Sequence, residues 1–174
     1  MRDDFGHRLP LDRIRDGDRI DLAADEAERS NVAKRLGLQS LERLDAHVTL
    51  NREGDLVRAR GRLRASLEQS CVASGEPVAE HVDEPFEILF LPEPRDGRGD
   101  DEVELAPEDC DTVFYDGSAI DLGTAIADTL ALTIDPYPRS AGAEVALKEA
   151  GVLSEEQAGP FAALARLRKG ADGS

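Results

Sequence analysis

The sequence predicts an α+β protein built around an antiparallel β-sheet, and three observations support this prediction. Apolar and polar residues alternate through residues 44–50 and again through 57–67, as in strands with one buried face. The connecting residues 51–55, NREGD, have the composition of a hairpin loop. From residue 121 onward, apolar residues instead recur every four positions, as along a helix. We expect about five to seven strands in a partly curled sheet, with helices packed on one side and a C-terminal helical tail.

Length and charge limit the possible organisation and function. The 174 residues suit one α+β domain over 1–139 followed by a tail over 140–174. No long apolar run or signal-peptide core is visible, so we expect a cytoplasmic protein without a membrane partner. The net charge of −16 argues against broad contact with phosphates and favours a basic partner, although simple solubility would also explain it.

The N-terminal third predicts small peripheral elements. Residues 5–14 are expected to form an edge strand around a proline, and residues 20–22 a short second strand. We expect residues 24–36 to form a helix on the surface of the domain. Asp25 and Glu28 are spaced as in a capping box, and Gly37 is suited to end the helix.

One face of the second long strand carries four arginines at alternate positions. Side chains two positions apart share a strand face, so the arginines form a single stripe. They could form a phosphate-binding patch for RNA, or they could pair with Asp45, Asp83 and Glu87 on neighbouring strands. We favour pairing and keep RNA contact as the alternative. The stripe consists of Arg58, Arg60, Arg62 and Arg64.

An acidic run follows the loop at residues 92–100. Residues 100–121 contain nine acidic residues and no Lys or Arg. Interspersed apolar residues predict an edge strand that ends at the Asp116–Gly117 turn. The run could be a solvated loop or a docking surface for a basic partner. The candidate partner-binding carboxylates are Asp100, Asp101, Glu102, Glu104, Glu108, Asp109 and Asp111.

A helix begins after Asp121, whose carboxylate suits the first turn, and is expected to end near residue 132 or 133 because of Pro136. The extended segment DPYPR then follows. Its two prolines could hold Tyr137 and Arg139 as a rigid recognition element, or the segment could simply be a stiff exit from the helix. In the tail, we expect two short helices, over residues 143–150 and 160–169.

No catalytic, nucleotide-binding or cofactor motif is visible, so we expect a non-enzymatic protein without a cofactor. Two cysteines, Cys71 and Cys110, and three scattered histidines are too few and too separated to predict a zinc site.

The order of motifs resembles the YceD family, the large ribosomal RNA subunit accumulation proteins, in the form of its alphaproteobacterial branch. A hairpin leads into CVASGEPV at residues 71–78, followed by an aromatic strand through Phe86 and Phe90. The acidic stretch, the IDL segment at 120–122 and DPYPR at 135–139 complete the order.

The resemblance implies a role in 23S rRNA accumulation and biogenesis of the large ribosomal subunit. Many members carry C-x-x-C at the strand turn, a pair thought able to bind metal. Here Cys71 occupies the first position and Ser74 the second, so a shared function would not require the pair. We expect an acidic adaptor that binds a basic ribosomal protein or a pre-ribosomal particle. Direct RNA binding, or an acidic protein-interaction module unrelated to ribosomes, is the alternative.

Overall fold

A computed structural model describes residues 5–94 and 111–151 of the chain. These residues belong to two compact units. The first contains residues 5–69, 79–94 and 111–136, and the second contains residues 70–78 and 137–151. Each unit is described separately below.

The described residues form strands and helices in the following order. The strands are β1 (Arg8–Pro10), β2 (Asp18–Ala23), β3 (Ser40–Glu53), β4 (Leu56–Ser70), β5 (Pro77–Pro92), β6 (Asp111–Tyr115) and β7 (Ala119–Asp121). The helices are α1 (Glu26–Leu36), α2 (Leu122–Thr133) and α3 (Ala143–Glu149), with a 3-10 turn at Leu11–Arg13.

The sheets confirm the α+β class. Five strands form one sheet in the order β2-β3-β4-β5-β6, and β1 pairs with β7 in a small antiparallel ribbon. The larger sheet is mixed, because β6 runs parallel to β5. The expectation of an entirely antiparallel sheet is therefore wrong at this edge. A parallel neighbour requires a long return connection, and residues 93–110 between the two strands are long enough to provide it.

The long hairpin follows the alternation in the sequence. Strands β3 and β4 pair antiparallel through most of their length, with Val48 opposite Gly61 and Leu50 opposite Ala59. Their turn contains Gly54, whose φ of 62° lies in the left-handed region that glycine adopts without strain. The apolar face of this hairpin is buried and the arginine face is not.

The N-terminal edge strand, predicted over residues 5–14, is much shorter in the structure. Only Arg8–Pro10 pair with β7, and the chain then turns through the 3-10 segment. Proline has no backbone N–H, so it cannot donate to a continuing ladder. Leu11, the next residue, donates its N–H to the carbonyl of Ser118 at 2.8 Å instead.

Helix α1 has the predicted caps. The Asp25 side chain accepts the Glu28 N–H at 2.9 Å, and the Glu28 carboxylate accepts the Asp25 N–H at 2.8 Å. This is a capping box, with aspartate in the position usually held by serine or threonine. Gly37 ends the helix with a φ of 68°.

Helix α2 buries the predicted stripe in the core of the first unit. Leu122, Ile126 and Leu130 are completely buried, in the same hydrophobic cluster as the apolar residues of β3, β4 and β5. The Asp121 carboxylate caps the helix by accepting the Thr124 N–H at 3.0 Å, and it also accepts the His7 N–H at 3.2 Å. Aspartate is favoured here because it satisfies free N–H groups and complements the helix dipole.

Candidate functional site

The arginine stripe lies on a polar face of the five-stranded sheet. Its four guanidinium groups share two carboxylates on β5. Glu87 contacts Arg58 at 3.4 Å and Arg60 at 2.9 Å. Asp83 pairs closely with Arg62 and lies 3.7 Å from Arg64. All these side chains retain solvent exposure.

Pairing with β5 agrees with the favoured interpretation of the stripe. A hydrogen bond from Arg62 is the main reason why the pKa of Asp83 lies below its ordinary value, with further lowering by the positive charges of Arg62 and Arg64. The third predicted partner, Asp45, lies opposite Arg64 in the strand register but pairs closely with Arg43. Hydrogen bonding by Asp45 raises the pKa of Arg43.

The polar face extends across β3 to β2. Arg19, Thr49 and Arg60 occupy one cross-strand row. Asp21, His47 and Arg62 occupy the next row, in which His47 Nδ1 and an Asp21 carboxylate oxygen are in close contact. Sequence analysis missed Arg19 and His47 as members of this face. The alternation of β2, in which Ile20 and Leu22 separate polar residues, would have indicated the position of Arg19.

These two rows line a shallow depression of about 500 Å³. Its lining contains three arginines, one histidine and one carboxylate, together with Thr49 and backbone near Gly61. Guanidinium and imidazole groups around an open depression can receive an anion, and no described group there suggests covalent chemistry.

Most of the predicted acidic surface lies outside the described residues. This applies to Asp100, Asp101, Glu102, Glu104, Glu108 and Asp109. Asp111 is described: it begins β6, the predicted edge strand, and is exposed. Strand β6 ends at Tyr115, immediately before the Asp116–Gly117 turn, as expected. The Tyr115 hydroxyl donates a 2.5 Å hydrogen bond to the Asp55 carbonyl, and burial raises its pKa.

In the second unit, Cys71 is buried within a compact hydrogen-bonded cluster. The backbone N–H groups of Ser74 and Ser140 donate to its sulfur at 3.4 Å and 3.3 Å. Both serine hydroxyls contact a Glu76 carboxylate oxygen, Ser140 at 2.9 Å and Ser74 at 3.4 Å. Residue 74, the second position of the C-x-x-C pattern, therefore contributes a backbone donor and a hydroxyl where a thiol would otherwise stand.

These donors act on the ionisation of Cys71. Hydrogen bonding from Ser74, followed by the backbone N–H of Ser140, lowers the pKa of the Cys71 thiol to about 6, although burial opposes the shift. Hydrogen bonds to the charged form favour the thiolate, whereas removal from water disfavours it. The involvement of Ser140 could not be predicted from the sequence, because it lies almost seventy positions from Cys71.

The DPYPR segment continues into the second unit, where it is fixed at its central proline. Pro138 is buried, and its carbonyl accepts the Val72 N–H at 2.9 Å. The flanking residues Tyr137 and Arg139 are exposed, Tyr137 to 72%. Helix α3 begins shortly after, at Ala143, and Gly151 follows it with a φ of 78°.

Metal-ion clusters and membrane-spanning helices are both absent from residues 5–94 and 111–151. No group of three or more His, Cys, Asp or Glu side chains is arranged to hold a metal ion. No helix in the same ranges has the length and apolar character needed to cross a membrane.

The fold and these surfaces define a small acidic α+β protein with an open, charged sheet face. The profile of the family described as large ribosomal RNA subunit accumulation protein YceD matches residues 59–168, and the chain belongs to this family. The match covers β4 from residue 59 onward, with Arg60, Arg62 and Arg64, and also the Cys71 cluster, α2 and DPYPR. No curated protein and no solved structure gave a significant match.

Proposed function

We propose that the protein is a cytoplasmic, non-enzymatic factor that supports accumulation of 23S rRNA and assembly of the large ribosomal subunit. The family name indicates a role in large-subunit rRNA accumulation. The proposal adds a mechanism: the protein is an acidic adaptor that holds a basic ribosomal protein, alone or within a pre-ribosomal particle.

The observation that carries the mechanism is the net charge of −16, concentrated in part in residues 100–121. None of the charged side chains among the described residues is buried, so their charge acts at the surface. A surface of one sign attracts a partner of the opposite sign and accelerates encounter. Ribosomal proteins that bind RNA carry the complementary positive charge.

Tyr137 and Arg139 provide a second proposed contact. Their exposed side chains flank a buried proline whose carbonyl is hydrogen-bonded, so their backbone is already ordered before binding. Ordered recognition residues lose less conformational entropy when they bind.

The role in rRNA accumulation is tested first by depletion in the organism that makes the protein. The measurement is the ratio of 23S to 16S rRNA, with ribosomal particles separated on a gradient. We expect a selective loss of 23S rRNA and of large subunits. An unchanged ratio under full depletion would contradict the proposed role.

The adaptor mechanism is tested with two variants that each neutralise six carboxylates. The test variant changes the acidic run to the corresponding amides at Asp100, Asp101, Glu102, Glu104, Glu108 and Asp109. The control changes six exposed carboxylates elsewhere, at Glu26, Glu42, Glu53, Glu84, Glu93 and Glu149. Retention of purified large-subunit proteins is then measured as a function of salt concentration.

Both variants gain the same net charge, so the comparison separates a local docking surface from overall charge. We expect the acidic-run variant to lose retention and the control to keep most of it, with both losing retention at high salt. Retention that is insensitive to salt and equal in both variants would refute the adaptor mechanism.

A further inference from the structure

The polar sheet face carries a cluster of arginines in a protein whose overall charge is strongly negative. Four guanidinium groups on β4 pair with the carboxylates Asp83 and Glu87. Arg19 adds a fifth cation that makes no ion pair within the described part of the chain. The face also carries two further close pairs, Arg43–Asp45 and His47–Asp21. Around the depression described above, three arginines, Arg19, Arg60 and Arg62, stand with one carboxylate, Asp21.

The existing ion pairs leave the arginines available to another anion. The side chains of Arg60 and Arg62 are about half exposed, at 55% and 51%. Ion pairs exposed to water contribute little to stability, because water and salt screen them. A phosphate can therefore bind an arginine in place of its carboxylate partner, or bind it together with that partner. Meanwhile, the ion pairs hold the arginine side chains in a regular row.

The strand geometry repeats the cationic groups in two directions. Side chains on alternate positions of β4 stand about 6.6–6.8 Å apart along the strand, from a rise of about 3.3–3.4 Å per residue. The row through Arg19 and Arg60 extends the array across β3 to β2. Each guanidinium has a planar donor fork that matches two phosphate oxygens. An extended array of such forks suits a polymer of phosphates better than one small anion.

From this arrangement we propose that the face formed by Arg19, Arg58, Arg60, Arg62 and Arg64 binds the phosphate backbone of RNA without reading its bases. The described side chains of the face include no Phe, Tyr or Trp on which a base could stack, so base readout by stacking is not expected there. This inference deepens the proposed function, on which it rests for naming ribosomal RNA as the ligand in the cell.

The overall negative charge does not prevent such local binding. At physiological ionic strength the Debye length is about 8 Å, so charges farther from the face are largely screened. An adaptor with acidic and arginine-rich surfaces could hold a basic ribosomal protein on one and rRNA on the other. The face would bring the two together only within an assembling particle.

The test measures binding of purified full-length protein to poly(U) and to a fragment of precursor 23S rRNA, between about 50 and 200 mM salt. The face variant is Arg19→Gln, Arg60→Gln and Arg62→Gln. The control variant removes three positive charges from α1 through Arg29→Gln, Lys34→Gln and Arg35→Gln. Thermal unfolding verifies that both variants are folded.

We expect the face variant to bind at least about tenfold more weakly than wild type, while the control stays within about twofold. The slope of log affinity against log salt should fall by about 2 in the face variant, from about 0.7 for each lost single-strand phosphate contact. Equal losses in both variants would overturn the proposal. Failure of the wild type to bind either RNA at the lowest salt would also overturn it.

A variant with the opposite expected effect controls for misfolding, because a misfolded protein would not bind RNA more tightly. Asp83→Asn combined with Glu87→Gln removes the two β5 carboxylates that pair with the β4 arginines. We expect this variant to bind RNA more tightly than wild type. The control Glu26→Gln with Glu149→Gln changes the net charge equally on α1 and α3. Tightening in the control but not in the face variant would contradict the proposal.

The outcomes also separate this inference from the proposed function. If depletion reduces 23S rRNA but the face variant binds RNA normally and restores 23S rRNA, only the RNA face is refuted. If the face binds poly(U) but depletion leaves 23S rRNA unchanged, only the ribosomal role is refuted. Face-dependent binding of polyglutamate with no RNA binding would assign the face to an acidic protein instead.

Discussion

The apolar stripe of α2 makes a quantitative prediction, because one helix carries two leucines in opposite environments. Leu130 is completely buried, whereas Leu132 is 78% exposed. Replacing Leu130 by alanine removes buried carbon atoms that each contribute about 0.8 kcal/mol. Incomplete collapse of the surrounding core adds a cavity cost, so the total destabilisation should be about 2–5 kcal/mol.

Leu132→Ala is the matched control, since it has the same chemistry on the same helix. An exposed substitution should change the free energy of unfolding by no more than about 0.5 kcal/mol. The difference in helix propensity between leucine and alanine applies equally at the two positions and therefore cancels. The comparison thus isolates burial.

The assay is urea unfolding followed by far-ultraviolet circular dichroism, with thermal unfolding as a second measurement. Leu130→Ala should lower the urea midpoint without changing the slope, which reports the surface exposed on unfolding. Its Tm should fall by about 2–4 °C for each kcal/mol lost. If the two variants lose equal stability, or if Leu132→Ala loses more, α2 does not pack through the Leu122–Ile126–Leu130 stripe.

Three further predictions follow from single residues. In a Cys110→Ser background, ultraviolet absorbance should show Cys71 titrating near pH 6, and Cys71→Ser should lack that step. Because the pKa of Cys71 is lowered from 9.0 in the folded state, its contribution to stability is fully present above pH 9 and is lost as the pH falls through 6. Urea midpoints of the Cys110→Ser protein with and without Cys71→Ser, measured across this pH window, will test this. Gly61→Ala would force a Cβ into the backbone of β3, so we expect about 1–3 kcal/mol of destabilisation by urea unfolding; an unchanged midpoint would contradict the close approach. Asp121→Ala removes the cap that accepts two backbone N–H groups and should cost about 0.5–2 kcal/mol, measured in the same way, whereas Asp121→Asn should retain most of that stability.

Elements governed by local chemistry could be predicted from the sequence. The capping box and Gly37 set the ends of α1, and both depend on residues within a few positions of each other. The β3–β4 hairpin follows from strict alternation around a glycine turn, and the α2 stripe from its four-residue repeat. Each signal is complete within one segment, so no knowledge of the tertiary fold is needed to interpret it.

Features that depend on distant segments were not predictable in the same way. Strand β6 runs parallel to β5, and alternation within β6 is equally compatible with either direction. The pairing of the β4 arginines with Asp83 and Glu87 could be predicted, because β4 and β5 follow each other along the chain. By contrast, the contact of Ser140 with Cys71 joins segments far apart in sequence, and neither segment alone indicates it.

The Cys71 cluster also bears on why the second cysteine of C-x-x-C can be absent here. Within residues 70–78 and 137–151, the turn is connected to residues 138–140, at the end of DPYPR, by the Val72–Pro138 and Ser140–Cys71 bonds. Ser140 also donates its hydroxyl to Glu76, the residue that accepts the Ser74 hydroxyl. Hydrogen bonds therefore join these two segments without a second thiol. A common function in the family then has to reside in surfaces that do not require the cysteine pair. The arginine face and the acidic run are both such surfaces, and the variants described above test them separately.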